Sequence, residues 1–522
     1  MDSTEIQPLS ERHERAARAR RFAQEATKIS TGVEGLDRVL RGGLPEREIY
    51  LVQGEPGTGK TTLGLQFLLA GRARGETGLF ITLTQRAADL ERAAASHGWS
   101  LDGIHIHQLS RARGAGGRVD DQALFPTGDI ELGEVMAEVL AVSERLRPAR
   151  VVFDAIAELR LLANDSTRFQ HQIFELRDLF ADTGAAVVFL DTQAQSDGPR
   201  DMEHIAHGVI LLDHTVTRFG NAQRRLQVVK MRGMGYSEGQ HDFRIQAGGL
   251  VVFPRLLADA GDEGAEGVFE SGVPGLDGLV GGGLAAGSSS LFVGPSGAGK
   301  SSVATLYACA AAARGQRAAA FLFEERPEMF LRRAESLGMA ARNHVASGHL
   351  IARSVSTGEL SPGEFAELVR CHVQERGVRV VVIDSLTGYI SAMPDEQLLL
   401  TQMHDLLRYL SSQGVLTILV VAQHGIVGTT LVGPVDVSYL ADAVLLFRHF
   451  ETRGTLRRAI SVFKKRYGDH EKLIRELRIS PGGIEVGDPL HGYQGLLTGN
   501  PSSLEPDPGA GAHTPAAETR PR

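Results

Sequence analysis

The chain has 522 residues, 42% hydrophobic and 23% charged, the balance of a soluble globular protein long enough for roughly two to four domains. Lys plus Arg number 55 against 63 Asp plus Glu, and a net charge of −8 disfavours a protein that tracks nucleic acid. No run reaches the roughly 18 uncharged apolar residues of a membrane span, and Cys309 and Cys371 have neither metal spacing nor a disulfide framework, which suits a reducing cytoplasm.

Residues 1–21 form a charged, helix-prone extension. It is arginine-rich, but Glu5, Glu11 and Glu14 and the lack of an apolar core argue against a signal or transit peptide. A first domain is expected over 22–257. "EIYLVQG" reads as a strand running into a Gly-rich loop, and "TTLGLQFLLAGRARG" as the helix that follows. "GLFITL", "RVVFD" and "GAAVVFLDTQ" are continuous apolar runs, as in strands buried on both faces of a parallel sheet. Residues 258–267, "ADAGDEGAEG", read as a linker. A second domain is expected over 268–490, and 491–522 as a tail. From Gly499 the tail is rich in Pro, Gly and Ser and is expected to be largely disordered.

The second domain repeats the first. "TGVEGLDRVLRGGL" at 31–44 recurs as "SGVPGLDGLVGGGL" at 271–284, and "GEPGTGKTT" at 54–62 as "GPSGAGKSS" at 294–302. "RVVFDA" at 150–155 pairs with "VVVIDS" at 380–385, and "KMRG" at 230–233 with "KKRY" at 464–467. Four elements keep their order across both halves, so the chain is a tandem duplication of an α/β doubly wound domain.

Gly54, Gly57, Thr58, Gly59, Lys60, Thr61 and Thr62 fit a P-loop between strand and helix, as do Gly294, Ser296, Gly297, Ala298, Gly299, Lys300, Ser301 and Ser302. Glycines let backbone N–H groups curl around phosphates, and the helix N-terminus adds its positive end. Lys60 and Lys300 are candidates for the β/γ-phosphates of ATP, and Thr61 and Ser301 for Mg²⁺. The alternative is a Gly-rich turn without nucleotide. Asp154 and Asp384 end apolar strands, either as Mg²⁺ partners or as helix N-caps. Gln193 and Gln423 end the next strands, as γ-phosphate sensors or plain polar ends. Glu324 and Glu325 follow the strand after the second P-loop helix. A carboxylate there can take a proton from the nucleophile attacking the γ-phosphate, or the pair is merely exposed. The first half has Thr84 and Gln85 instead, and neither is a base at neutral pH. Lys230/Arg232 and Lys464/Arg466 lie late in each half as Lys-x-Arg, with period 2 placing both on one strand face. They are arginine-finger elements offered across a subunit boundary, or a solvated basic edge.

The duplicated "GVxGLD…GGL" opening with its P-loop resembles the KaiC family of clock ATPases and autokinases and their bacterial relatives. The resemblance covers about 22–499 and includes "FEE" at 323–325, the run "ADAVLLFRHFETRGTLRRAISVFKKRYGDHEKLIRELRIS" and "GYQGLLTG" at 492–499. It implies two tandem RecA-like P-loop NTPase domains, each a mostly parallel twisted sheet flanked by helices. It also implies a homo-hexamer of two stacked rings with ATP at subunit interfaces, and a KaiB-like or histidine-kinase-type signalling partner. By the same resemblance the first tier is expected to be a slow ATPase, and the second to phosphorylate and dephosphorylate hydroxyls near the neighbouring subunit's ATP. By position, Glu324 and Glu325 become the kinase-side glutamates. Lys464 and Arg466, like Lys230 and Arg232, become contacts to the adjacent subunit's γ-phosphate. The phosphoacceptor pair falls on Ser438 and Tyr439, where the family has Ser-Thr. Two readings follow: an ATP-dependent autokinase and ATPase working as a switch, and an ATP-gated assembly platform with little transfer. A RecA- or DnaB-like DNA-dependent ATPase is disfavoured by net charge and by the lack of a basic–aromatic tract.

Overall fold

A computed structural model describes residues 27–109, 128–154, 156–163, 166–192, 201–215, 222–256, 266–356, 360–391, 396–422, 438–452, 454–496 and 502–503. The arm at 1–21, most of the linker at 258–267, Gln193 and Gln423 lie outside these residues. The chain divides into two units between Arg255 and Leu256.

Each unit opens on the duplicated Gly-x-x-Gly-Leu-Asp stretch. Its aspartate shapes the entry to a six-residue helix, Glu34–Val39 in the first unit. The Asp37 carboxylate accepts Ser30 Oγ at 2.6 Å and Thr31 N at 2.8 Å. Asp277 repeats this with Ser271 N at 2.7 Å and Gly272 N at 3.1 Å.

The main sheet of the first unit has nine strands. They are β1 (Ile49–Gly54), β2 (Gly78–Thr82), β3 (Ile104–Gln108), β4 (Arg150–Asp154), β5 (Ala186–Asp191), β6 (Gly208–Thr215), β7 (Gln223–Met231), β8 (Gln240–Gln246) and β9 (Gly249–Phe253). Their spatial order is β9-β8-β7-β6-β1-β5-β4-β2-β3. Pairings from β6 to β3 are parallel, and those from β6 to β9 antiparallel. The second unit repeats this plan. Its strands are β10 (Ser289–Gly294), β11 (Arg317–Leu322), β12 (Leu350–Ser354), β13 (Val378–Asp384), β14 (Leu416–Ala422), β15 (Ala443–Thr452), β16 (Thr455–Lys465), β17 (Arg475–Ser480) and β18 (Gly483–Pro489). Their order, β18-β17-β16-β15-β10-β14-β13-β11-β12, is that of the first sheet. These are the two RecA-like domains the resemblance implies.

The parallel strands are apolar throughout because both faces are covered. In the first unit Val52, Val152 and Val188 meet Leu63 and Phe67 of the P-loop helix. Leu51, Phe153 and Phe189 face helices Gly128–Leu146 and Ser166–Thr183 through Val139, Ile173 and Phe180. Burying each such side chain contributes about 1.5–3 kcal/mol. The opening strand β1 sits between β5 and β6, so its C-terminal end lies at the switch point where open α/β sheets hold ligands.

The second unit runs past residue 490, where the sequence placed the tail. Tyr493 stacks on Phe450 with ring centroids 5.3 Å apart, and its hydroxyl lies 2.6 Å from Thr452 Oγ1. Leu496 is buried beside them. Leu490, Tyr493 and Leu496 thus dock this segment against Phe450, Ala459 and Ile474.

On β8, His241 is fully buried. Its Nε2 lies 3.0 Å from Ser237 O, and Nδ1 accepts the Arg255 amide at 3.0 Å, so the neutral ring uses both nitrogens. Burial holds its pKa below the ordinary histidine value, opposed by the Ser237 carbonyl and Asp242 and reinforced by the Arg255 charge. The unfolded chain takes up a proton at the ordinary value and the folded unit does not. Stability is therefore lost as pH falls through that range. The chain's one tryptophan, Trp99, lies in this unit and reports it alone. Trp99 fluorescence should show a urea midpoint that falls between about pH 7 and pH 5, and His241→Asn should flatten that fall. An equal slope in both proteins would exclude His241 as its source.

Candidate functional site: two nucleotide clefts

In both units the central strand runs into the Gly-rich loop and then a 14-residue helix, Lys60–Ala73 or Lys300–Ala313. Gly59 and Gly299 cap these helices at φ 103°, a left-handed value that suits glycine. An added Cβ would also lie 2.6 Å from Ile245 Cδ1 in one unit and 2.6 Å from Ile479 Cδ1 in the other. Both the backbone angle and the space at the helix start therefore call for glycine.

The lysines sit in the loops. Lys60 Nζ donates to Gly54 O at 2.6 Å and Glu55 O at 3.0 Å; Lys300 Nζ donates to Gly294 O and Pro295 O, each at 2.8 Å. Burial lowers both pKa values, that of Lys300 to about 8, against the opposing pull of Asp384 and Glu324. A buried cation at the mouth of an amide-lined loop is suited to phosphate.

Parallel registration brings Asp154 and Asp384 to the same level. Asp154 lies opposite Thr82 and Leu190, and Asp384 opposite Leu322 and Val420. Thr61 Oγ1 donates to Asp154 Oδ2 at 3.3 Å. Burial raises Asp154 to about 6 and raises Asp384, the latter opposed first by the Ser301 hydroxyl. One hydroxyl and one carboxylate are hard oxygen donors that fit Mg²⁺. Among the described residues no three His, Cys, Asp or Glu side chains form a cage for a metal ion.

The second cleft has a volume of about 440 Å³, between the Ser296–Ser302 loop and Glu324, Glu325, Asp384 and Ser385. The structure therefore brings the acidic pair to the P-loop. Glu324 Oε1 accepts Ser385 Oγ at 2.7 Å; Glu325 pairs with Arg333 at 2.8 Å. In the first unit the corresponding corner is neutral. Gln85 Nε2 lies 3.2 Å from Asp154 Oδ2 and 3.4 Å from Thr61 Oγ1, and Thr84 turns on Thr82 through its backbone amide.

The Lys-x-Arg pairs are not beside their own P-loops. Arg466 N donates to Asp442 O, Asp442 N to Ser289 O, and Lys464 Nζ to Ala441 O. All of these lie at the start of β10, whose six residues separate them from Gly294 by about 16 Å at about 3.3 Å per residue. Arg232 N reaches His207 O and His207 N reaches Ile49 O, so the first unit matches. Ser438 opens a short 3-10 turn, Ser438–Leu440, at this same end, where Arg466 donates to Tyr439 O at 3.3 Å. A bulge opposite Val209/Ile210 and Val444/Leu445 turns Val229 and Phe463 outward just before each lysine.

Several residues escaped the sequence reading. Arg458 Nε donates to Gly297 O at 3.0 Å, and His449 Nε2 lies 3.2 Å from Ser296 O. These two pair across β15 and β16, and His214 with Arg224 repeats the pairing across β6 and β7. That repetition was the available signal. Buried Asp191, held by Arg160 at 3.0 Å, ends β5 where the second unit has Val421.

The model of the KaiC ATPase family matches residues 29–256 and again 269–491. The circadian clock protein KaiC3 of Synechocystis sp. is 25% identical over 483 residues, covering 91% of this chain and 94% of the relative. The circadian clock oscillator protein KaiC of Thermostichus vulcanus is 26% identical over 491 residues, 92% and 93%. That of Synechococcus elongatus is 25% identical over 490 residues, 93% of each. Among the described residues no helix is long and apolar enough to cross a membrane.

Proposed function

The chain belongs to the KaiC ATPase family, and on that premise we propose that its second unit carries most turnover while the first mainly binds ATP and holds a hexameric ring. The second unit would hydrolyse ATP and phosphorylate Ser438 of a neighbouring copy, making the ring a signalling or clock-type switch read by a KaiB-like or histidine-kinase-type partner. The observation that carries this is the contrast between Glu324 and Glu325 at one P-loop and Thr84 and Gln85 at the other.

The chemistry follows from positions. The loop amides and Lys300 bind and orient the phosphates, and Ser301 and Asp384 would hold Mg²⁺, which supplies charge neutralisation on the transferring group. The nucleophile is water or the Ser438 hydroxyl. Its oxygen bonds to the γ-phosphorus as the bond to the β–γ bridging oxygen breaks. ADP leaves with that electron pair, and a glutamate takes the proton. Ser438, Lys464 and Arg466 share the end of the sheet remote from their own P-loop, so a neighbouring copy supplies all three together. Tyr439 is longer than the threonine the family has, and its phenol would overshoot the in-line position.

After hours in Mg·ATP, phosphopeptide mapping should place a single phosphate on Ser438 that Ser438→Ala removes. Thr429 and Thr430, outside the described residues, are the fallback acceptors. Phosphate on Tyr439, or nowhere in 425–445, would overturn the autokinase reading and put the assembly platform first.

A further inference from the structure

The two glutamates of the second cleft differ in what holds them. Arg333, on the helix Pro327–Ser336, forks onto Glu325, with one terminal nitrogen 2.8 Å from Oε2 and Nε 3.3 Å from Oε1. Its other terminal nitrogen reaches Thr305 Oγ1 at 3.3 Å, and that hydroxyl donates to Ser301 O at 2.6 Å. The guanidinium lies over the Phe330 ring, 5.5 Å from its centroid, and both partners are largely covered, 24% and 30% exposed. Glu324 is exposed, and among the described residues its hydrogen bond comes from the neutral Ser385 hydroxyl, which also accepts Gly388 N at 3.1 Å.

The first unit supplies an internal comparison. At the matching positions Gln85 stands for Glu325, Ala93 for Arg333, Leu65 for Thr305, Thr84 for Glu324 and Ala155 for Ser385. The guanidinium is present where the carboxylate is present and missing where it is missing. In this chain the guanidinium accompanies the carboxylate, and the same fold stands without either in the first unit.

We propose that Arg333 is a positioning residue that gives the adjacent glutamates different tasks: it fixes Glu325 as its counter-ion beside Ser301 and leaves Glu324 to accept the proton. This rests on turnover at the second cleft. Arginine stays charged, so moving a proton onto Glu325 would strip a largely covered guanidinium of its partner. Ser385 imposes no such penalty on Glu324, because a hydroxyl can rotate to suit either protonation state.

The test is steady-state Mg·ATP hydrolysis by full-length variants. Glu324→Gln should lose about 10²–10⁴-fold and Glu325→Gln less than about tenfold. Adding Arg333→Met, which keeps apolar packing on Phe330, to Glu324→Gln should recover at least about tenfold by releasing Glu325. Adding Glu325→Gln to that pair should abolish the recovery. A purely structural Arg333 could only lower activity further. Equal losses from the two single glutamine variants would overturn the assignment. So would a double variant as inactive as Glu324→Gln. If Lys300→Ala leaves turnover intact, the second cleft is not the active one, and the functional reading falls together with this inference.

Discussion

Mg·ATP hydrolysis by the full chain should fall about 10²–10⁴-fold when Glu324 and Glu325 are both replaced by glutamine, the usual cost of removing a positioned base. Glutamine keeps the shape of the corner, and the first cleft shows that a glutamine can be accommodated there: Gln85 lies within 3.4 Å of Thr61 Oγ1. Bound nucleotide should persist in the double variant, because the loop, Lys300 and Asp384 are untouched. Lys60→Ala and Lys300→Ala should instead each remove about half the bound ATP, as each disables one of two equivalent loops. The reverse exchange, Thr84→Glu with Gln85→Glu, should raise first-unit turnover only weakly, since Ala155 stands where Ser385 donates to Glu324. Unchanged hydrolysis in the double glutamine variant would assign turnover to another base or to the first cleft.

Arg466→Ala should lower second-unit turnover by about 10³–10⁵-fold, the range of a transition-state arginine supplied by a neighbour. That prediction rests on the proposed ring, in which a neighbour would supply the arginine, since Arg466 is anchored at the start of β10 while its own P-loop lies past the end. Two defective proteins should then rescue one another. Mixing Arg466→Ala with Lys300→Ala subunits creates interfaces with an intact loop on one side and an intact arginine on the other. Light scattering in excess Mg·ATP should find a hexamer in the same mixture. A persistent monomer, or mixtures that never exceed their inactive parents, would contradict a role in trans.

The parts of the site legible in sequence were those set by short, local rules. A P-loop occupies nine consecutive residues, and a strand ending in Asp154 or Asp384 announces itself by its apolar run. Duplication made both readings firmer and exposed the missing acids at Thr84 and Gln85. Ser385 was hidden because it meets Glu324 across 61 positions of chain, through the pairing of β11 with β13. Arg333 was hidden differently. It lies eight residues beyond Glu325, and only the turn into the helix Pro327–Ser336 brings the two together. In a bare sequence it is one more charged residue on an exposed amphipathic helix. The antiparallel half of each sheet was likewise read as a strand bearing Lys-x-Arg, without the hairpin β8–β9 or β17–β18 beyond it.

That hairpin determines where the molecule can be cut. Ile245 and Ile479 occupy the space against which Gly59 and Gly299 turn, so the first loop of each unit takes its shape from almost the last strand. A fragment ending after the parallel strands would keep every residue of its phosphate loop and lose the wall the loop leans on. Excised halves should therefore be drawn with their hairpins included, ending no earlier than Phe253 in one case and Pro489 in the other.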